Sequence, residues 1–266
     1  MRILITGAAK GLGGGLAVAF AGRGHDLALV DIDQDGLDET VLKAKAAGAP
    51  SCHCYVVDVS DRARVKELAK RVTSEMGGID MLINNAGVVV VGEFVDVPIE
   101  EWERVMGVNL WSCVYMLKEF LPAMIERGSG HVVNVSSMGG LAGSPAETAY
   151  GASKFAIAGM SEGLYNEVVN KGVKVTLICP SPIETNILRS AHYYGFDKGY
   201  EQEIWNYSSM KFDKAIAEMV RGIEKGKFLV IPGRLGKVAY YGRRISQSGF
   251  LAVRRRIYRK VLKHRM

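Results

Sequence analysis

The sequence is poor in cysteine, which excludes a fold stabilised by disulfides. Four cysteines occur among 266 residues, and in a chain of this length such a number is typical of free thiols in a reducing compartment. Cys52 and Cys54 flank a histidine, but no second pair of Cys or His residues accompanies them, so we expect no metal site. Stability must come from a large apolar core, which an apolar content of 48% can supply.

Long apolar runs are missing as well. The sequence contains no run of the eighteen or so consecutive apolar residues that a membrane-spanning helix needs. The first residues lead directly into the apolar segment Arg2-Ile-Leu-Ile-Thr6, without the basic and apolar regions of a secretory signal. The sequence therefore predicts a cytoplasmic protein.

Acidic residues are absent from positions 225–266, which hold thirteen Lys and Arg. This tail carries a charge of +13 and the remaining body −7, which favours an interaction surface at the C-terminus. Apolar residues recur between the cations at the spacing of an amphipathic helix, as in helices that lie on anionic membranes: Phe250, Val253, Ile257 and Val261. The alternatives are a basic helix packed on its own acidic body and one that binds a protein or a nucleic acid. No motif indicates specific nucleic-acid binding.

Short apolar segments alternate with helical patterns along the chain. Strands are predicted at 2–6, 26–31, 53–57, 80–84, 130–136, 173–178 and 227–231. Helices are predicted at 12–23, 35–47, 61–76, 100–126 and 149–170, and a helix pair at 237–266. This alternation predicts a single α/β domain over 1–232, a doubly wound (Rossmann) parallel sheet with helices on both faces. A basic amphipathic helical extension over 233–266 follows it.

A glycine-rich turn joins the first strand to the first helix. Gly7, Gly11 and Gly13 allow a tight turn, a close backbone approach to a pyrophosphate and close packing of the helix. Asp31 ends the second strand eighteen residues later, where a carboxylate accepts hydrogen bonds from an adenosine ribose and repels the 2′-phosphate of NADP. Lys10 argues the other way, because a cation at this turn can meet that phosphate. The pattern favours NAD over NADP.

A tyrosine and a lysine four residues apart form the most informative pair in the sequence. On a helix, Tyr150 and Lys154 lie on one face, one turn apart. The ammonium lowers the pKa of the phenol, which can then exchange a proton with an alcohol or carbonyl oxygen. The alternative is a chance spacing in an ordinary helix.

Seven motifs follow one another along the first 190 residues, and with them the chain resembles a short-chain dehydrogenase/reductase. They are Thr6-Gly-x-x-x-Gly-x-Gly13, Asp58-Val59, Asn84-Asn-Ala-Gly87, Asn109, Ser137, Tyr150-x-x-x-Lys154 and Pro180-Ser-Pro-Ile-Glu-Thr185. One departure is Ser181, because the family usually has a glycine after this proline. A side chain there either fits the same backbone geometry or alters how a nicotinamide is seated.

The resemblance implies a role for each matching residue. Tyr150 would be the general acid or base, and Ser137 would bind the substrate oxygen. Lys154 would lower the pKa of Tyr150 and bind the nicotinamide ribose, and Asn109 would hold a water of the proton relay through its backbone. Tyr150 and Lys154 would both contact the cofactor, and the further cofactor contacts would be Gly7, Lys10, Gly11, Leu12, Gly13, Asp31, Ile32, Asp58, Val59, Asn85, Ala86, Gly87, Pro180, Ile183 and Thr185.

Residues 186–212 follow the last motif and are rich in aromatic side chains. The family places a substrate lid here, so a bulky, lipophilic alcohol or ketone is expected; a satellite core packed on the sheet is the alternative. We therefore predict an NAD(P)-dependent oxidoreductase that interconverts a secondary alcohol and a ketone. An NADPH-preferring carbonyl reductase and a non-catalytic dinucleotide-binding scaffold or redox sensor are the alternatives. The resemblance also implies a homodimer or homotetramer.

Overall fold

A computed structural model describes residues 1–183, 187–208 and 210–266, with the backbone alone for 204–208. The strands are β1 Arg2–Thr6, β2 Asp26–Asp31, β3 Cys52–Val56, β4 Met81–Asn84, β5 Val90–Gly92, β6 Gly130–Val135, β7 Val173–Ile178, β8 His192–Tyr194 and β9 Leu229–Val230. The helices are α1 Gly11–Ala21, α2 Gln34–Ala47, α3 Arg62–Met76, α4 Ile99–Met106, α5 Ser112–Glu126, α6 Thr148–Val168, α7 Gly199–Ser208, α8 Phe212–Glu224, α9 Arg234–Ile245 and α10 Gln247–Val261.

Seven strands form one parallel sheet in the order β3-β2-β1-β4-β6-β7-β9. The register of β1 and β2 runs from Arg2 opposite Asp26 to Thr6 opposite Val30. The strand order reverses between β1 and β4, and such a switch point opens a crevice at the carboxyl ends of the strands. The predicted doubly wound fold is confirmed.

Helices cover both faces of the sheet and form two apolar cores. Phe20 of α1 and Leu37 of α2 are buried in one core, and Leu68 of α3 and Phe120 of α5 in the other. Each such side chain contributes about 1.5–3 kcal/mol relative to an exposed one. Because both faces are covered, the central strands read as continuous apolar runs rather than as alternating patterns.

The structure differs from the predicted elements at three places. The helix predicted at 100–126 is interrupted by a π-helical turn over Gly107–Trp111, which separates α4 from α5. A small parallel pair, β5 with β8, was not predicted because strands of three residues carry no readable periodicity. The helices α7 and α8 were also not predicted, since they lie where the family motifs end.

The aromatic segment after residue 186 contributes to a satellite core. Phe196 and Tyr200 are each 1% exposed and pack with Val91, Leu188 and Val261. The alternative of a packed aromatic cluster is therefore observed for the described part of this segment. A role of this segment as a substrate lid stays a prediction.

The predicted C-terminal helix pair is confirmed as α9 and α10. Ser246 separates them, and its hydroxyl accepts a hydrogen bond from the Gly249 N–H at 3.1 Å. Ion pairs attach the end of the chain to acidic residues of the body, with Lys263 2.7 Å from Glu203 and His264 3.1 Å from Asp197. In the described segments, the helices lack the combination of length and apolarity required to cross a bilayer.

Candidate active site

A cavity of about 1230 Å³ follows the carboxyl ends of the strands. It extends from the turn between β1 and α1, past the end of β6, to the first turns of α6 and to the hairpin of α9 and α10. A pocket for one drug-sized ligand usually measures about 300–1,000 Å³. The cavity is therefore larger than the usual pocket for one such ligand.

The predicted glycine turn closes one end of the cavity. Gly7 and Gly11 have φ angles of 66° and 57°, in the left-handed region that favours glycine. A Cβ at Gly13 would lie 2.0 Å from the carbonyl oxygen of Gly7, so a larger residue would separate the helix from the turn. The amide of Asn85 donates to the Thr6 and Gly7 carbonyls at 2.9 and 3.1 Å. These residues fit a pyrophosphate, because Asn85 holds the turn in place and Gly11 and Leu12 at the N-terminus of α1 line the cavity.

Acidic side chains line the cavity where β2 ends. The Asp31 carboxylate accepts hydrogen bonds from the backbone N–H groups of Ala9 at 3.0 Å and Ile32 at 2.7 Å. Lys10, which also lines the cavity, lies with its ammonium 3.0 Å from the carboxylate of Asp33. Asp31 is therefore held at the predicted ribose position, and Lys10 already has an acidic partner.

The remaining predicted cofactor residues surround the same space. Asp58 accepts hydrogen bonds from the backbone N–H and hydroxyl of Ser60 at 2.9 and 2.7 Å. A Cβ at Gly87 would lie 3.2 Å from the ammonium of Lys154, so glycine leaves room for that charge. Thr185 lies outside the described residues. Those that line the cavity are Leu12, Ile32, Asp58, Val59, Asn85, Ala86, Gly87, Pro180 and Ile183.

Ser137, Tyr150 and Lys154 meet at the other end of the cavity. Ser137 follows β6, and its hydroxyl accepts a hydrogen bond from the Gly139 N–H at 3.0 Å. Tyr150 and Lys154 lie in the first two turns of α6, and the lysine Nζ is 5.7 Å from the centroid of the tyrosine ring. The same ammonium donates a hydrogen bond to the carbonyl of Val135 at 3.0 Å. The structure thus brings together three of the residues predicted to be catalytic.

Burial shifts both titrating groups of this trio towards their neutral forms. It raises the pKa of the Tyr150 phenol above its ordinary value, and interaction with the Ser137 hydroxyl opposes that rise. It lowers the pKa of Lys154 to about 8. The direction of the tyrosine shift is opposite to that expected from the sequence, because lost hydration penalises the phenolate more than neighbouring groups stabilise it.

Asn109 lies in the π-helical turn and holds the segment that follows β4. Its Oδ1 accepts from the Val88 N–H at 2.8 Å, and its Nδ2 donates to the Val88 carbonyl at 3.0 Å and to the Ser153 hydroxyl at 2.9 Å. Such π-helical turns are frequent at functional sites. The observed contacts tie α6 to the cavity wall, and a relay water at the backbone of Asn109 stays a prediction.

Ser181, where the family usually has glycine, packs beside the C-terminal extension. Its hydroxyl is buried and has no hydrogen-bond partner among the described residues. A Cβ at Gly236 of α9 would lie 2.4 Å from this oxygen. Gly236 of α9 therefore leaves room for the side chain of Ser181.

The sequence interpretation missed a polar cluster in the cavity wall. Tyr200 donates a hydrogen bond to Glu147 at 2.9 Å. Arg254 of α10 donates to the Gly143 carbonyl at 3.0 Å and to the Ser144 hydroxyl at 2.6 Å. Burial raises the pKa of Glu147. These residues belong to no motif, so no signal in the sequence could have identified them.

The apolar side of α10 also lines the cavity. Phe250 and Ile257 are half-buried in its wall and Val261 is buried, whereas Val253 at the rim is 58% exposed. The alternative of a helix packed on its own body is therefore observed for Phe250, Ile257 and Val261, which line the protein's own cavity. A membrane contact of the extension stays a prediction. The spacing of apolar residues in the sequence predicts an apolar face on α10 but does not show what that face contacts.

Comparison with known proteins agrees with this geometry. A family model described as short chain dehydrogenase matches residues 1–193. Epidermal retinol dehydrogenase 2 from Homo sapiens is 42% identical over 188 residues, and the alignment covers 70% of this chain and 61% of that protein's length. The oxidoreductase named SadH from Mycobacterium tuberculosis is 34% identical over 255 residues, which cover 93% of this chain and 91% of that protein.

Solved structures share the fold over nearly the whole chain. A short chain dehydrogenase/reductase from Burkholderia phymatum in complex with NAD has a TM-score of 0.83 and 26% identity, and the match covers 92% of this chain and 93% of that one. A short-chain dehydrogenase from Sphingobium yanoikuyae in complex with NADPH has a TM-score of 0.80 and 27% identity, covering 94% and 95%. The chain belongs to the short chain dehydrogenase family.

Proposed function

We propose that the protein is an NAD-dependent oxidoreductase that interconverts a secondary alcohol and a ketone. The observation that carries this proposal is a single cavity that joins the glycine turn at Gly7 to Ser137, Tyr150 and Lys154. The turn alone would suit a dinucleotide-binding scaffold or a redox sensor. Such a protein needs neither the serine nor the phenol, so the catalytic function is preferred.

The side chains at the end of the cavity suit proton exchange with a substrate oxygen. A bound nicotinamide dinucleotide supplies or accepts the hydride. In reduction, Tyr150 gives its phenolic proton to the carbonyl oxygen, and the Ser137 hydroxyl donates a hydrogen bond to the same atom. In oxidation, the phenolate removes the hydroxyl proton. Lys154 stabilises the developing phenolate, because charges interact strongly in a site that excludes water.

NAD is proposed in preference to NADP on the charges at the end of β2. Asp31 and Asp33 place two carboxylates there, and both would repel a 2′-phosphate. Lys10 is paired with Asp33 at 3.0 Å, but its side chain is 58% exposed and could turn towards a phosphate. An NADPH-preferring carbonyl reductase is therefore the second candidate.

The substrate is proposed to be a bulky lipophilic alcohol or ketone. Phe250 and Ile257 of α10 present apolar side chains to the cavity, and Tyr200 closes it from α7. The likeness to a retinol dehydrogenase supports the lipophilic character of this substrate. A homodimer or homotetramer, a cytoplasmic location and a domain boundary after residue 232 stay predictions.

Turnover measurements with a panel of alcohols test the proposal. NADH formation is followed with short-chain, long-chain and steroid secondary alcohols, with NAD and NADP compared by kcat/KM. Tyr150→Phe removes the proton donor, so turnover should fall by about 10²-fold or more. Binding of NAD, measured by fluorescence titration, should be unchanged.

Tyr165→Phe on the same helix is the matched control, because this tyrosine is 36% exposed and lies away from the cavity. It should retain full turnover. Undiminished turnover in Tyr150→Phe would refute the proton-transfer role. A higher kcat/KM with NADP than with NAD would make the second candidate the better description.

A further inference from the structure

The hairpin of α9 and α10 exposes apolar side chains that the rest of the chain leaves uncovered. Leu235, Val238, Tyr241 and Ile245 follow one another on α9 at spacings of three, three and four residues, and they are 61–87% exposed. Leu251 at the start of α10 is 57% exposed. A row of exposed apolar residues along one helix, as on α9, marks an interaction surface, whereas single exposed apolar residues are ordinary. We call these five residues and the cations around them the hairpin face.

Exposed cations accompany this apolar stripe. Six exposed cations belong to the hairpin face: Arg234, Lys237, Arg244, Arg255, Arg256 and Arg259. No acidic residue occurs from 225 to 266, and within the described ranges none of these six cations forms an ion pair with an acidic side chain. The last residues of the chain, Lys263, His264 and Arg265, form the ion pairs with acidic residues of the body.

One mouth of the cavity lies at the hairpin face. Leu235 and Val238 are more than three-fifths exposed and also line the cavity, as does Val253 on the facing helix. The path from the surface to the catalytic end therefore begins between apolar side chains. A ligand entering here passes between these apolar side chains into the cavity.

We infer that the hairpin face docks on an anionic lipid bilayer and presents the cavity mouth to it. Exposed Lys and Arg are attracted by the negative surface potential, and apolar side chains can enter the headgroup region. The hairpin face of a second copy would bring the same positive charge, which disfavours pairing between two of these faces. Docking is independent of the proposed reaction, whereas delivery of a lipophilic substrate through the mouth rests on it.

Co-sedimentation of the full chain with vesicles tests the docking without any turnover. The vesicles contain phosphatidylcholine alone, or phosphatidylcholine and phosphatidylglycerol in equal amounts. At low salt the protein should sediment with the anionic vesicles and be released as NaCl is raised. Arg255→Glu/Arg256→Glu should weaken this binding by at least about tenfold. Ile245→Glu should weaken it as well, since a charge replaces the most exposed apolar side chain of the face.

Matched changes on other surfaces serve as controls. Leu42→Glu on α2 replaces an apolar side chain that is 69% exposed, and Arg62→Glu/Lys66→Glu on α3 makes the same change in net charge. Both should bind anionic vesicles like the unaltered protein. Equal loss in the controls, or equal binding to neutral and anionic vesicles, would overturn the inference. A change in oligomeric state in Ile245→Glu with undiminished vesicle binding would assign the face to a second copy instead.

Discussion

At the scale of single residues, Lys154 is a cation held away from water. Its side chain is 3% exposed, and one backbone carbonyl, that of Val135, accepts a hydrogen bond from it. Burial explains why its pKa falls to about 8, since no ion pair joins it to a carboxylate of the described residues. This burial makes the ammonium responsive to negative charge that develops on Tyr150.

The buried lysine should make stability depend on pH in a defined direction. The folded-state pKa of Lys154 is about 8 against 10.5 in the unfolded chain, so its charge destabilises the fold fully below pH 8 and less as pH rises. The free energy of unfolding of the unaltered protein, relative to Lys154→Met, should therefore rise by about 2 kcal/mol between about pH 7 and about pH 9.5. Urea unfolding of both proteins at the two pH values measures this.

Lys174→Met is the control for that comparison, because Lys174 is an exposed lysine on β7. The difference in free energy of unfolding between Lys174→Met and the unaltered protein should be the same at both pH values. A pH-independent difference for Lys154→Met as well would show that the ammonium is not held in a dehydrated site.

Site residues could be predicted from the sequence where they lie close together along the chain in a recognisable spacing. Tyr150 and Lys154 are one helical turn apart, and the structure places them on the cavity together. The polar cluster of Glu147 and Arg254 was missed because its contacts join positions 53 and 110 residues apart. Patterns in a sequence report local spacing, so a contact across such distances leaves no signature.

At the scale of elements, Gly14 and Gly15 in the first turns of α1 are each adjacent to a different part of the protein, which limits the space for a side chain. Gly15 faces α8, and a Cβ there would lie 2.6 Å from the ring of Phe212. Gly14 contributes less, since its Cβ would lie 3.3 Å from the Ala8 carbonyl. The extended glycine run, unusual for the start of a helix, is thus explained largely by the close approach of α8.

Two alanine substitutions at opposite ends of α1 should separate packing at the turn from helix propensity. Gly13→Ala places a methyl group against the Gly7 carbonyl and should displace the helix from the turn. Binding of NAD should weaken by at least about tenfold, since the amides that face the pyrophosphate move. At Gly22 the nearest atoms lie 3.7 Å from an added Cβ, so Gly22→Ala should bind NAD normally. Fluorescence titration measures both, and equal affinities would contradict the role assigned to Gly13.

Helices and strands of ordinary length could be predicted, and irregular ones could not. The predicted strand at 173–178 agrees with Val173–Ile178, because its apolar run is bounded clearly at both ends. The π-helical turn at Gly107–Trp111 lies inside an unbroken helical pattern, and one inserted residue does not change that pattern visibly. Short β5 and β8 exist because they pair with each other, not because either has strand periodicity.

At the scale of the whole molecule, the basic extension is part of the site and not an appendage to it. Phe250, Ile257 and Tyr258 of α10 contribute to the cavity wall, while Arg254 holds the loop at Gly143. The charge difference between body and tail, which can be read from composition, helps to explain how the end of the chain is attached. The side of α10 that faces the cavity could not be read in the same way, because composition reports no orientation.

Shortening one side chain of α10 should therefore alter the choice of substrate and leave the chemistry intact. Ile257→Ala removes apolar contact from the cavity wall, so kcat/KM for long-chain secondary alcohols should fall by about tenfold. Short-chain alcohols should not reach this wall, so we expect their turnover rate to be unchanged. Leu251→Ala shortens an exposed residue of the same helix that does not line the cavity, and it should leave both substrates unaffected in assays without vesicles. An equal loss for short and long alcohols would mean that α10 supports the fold of the site and does not contact the substrate.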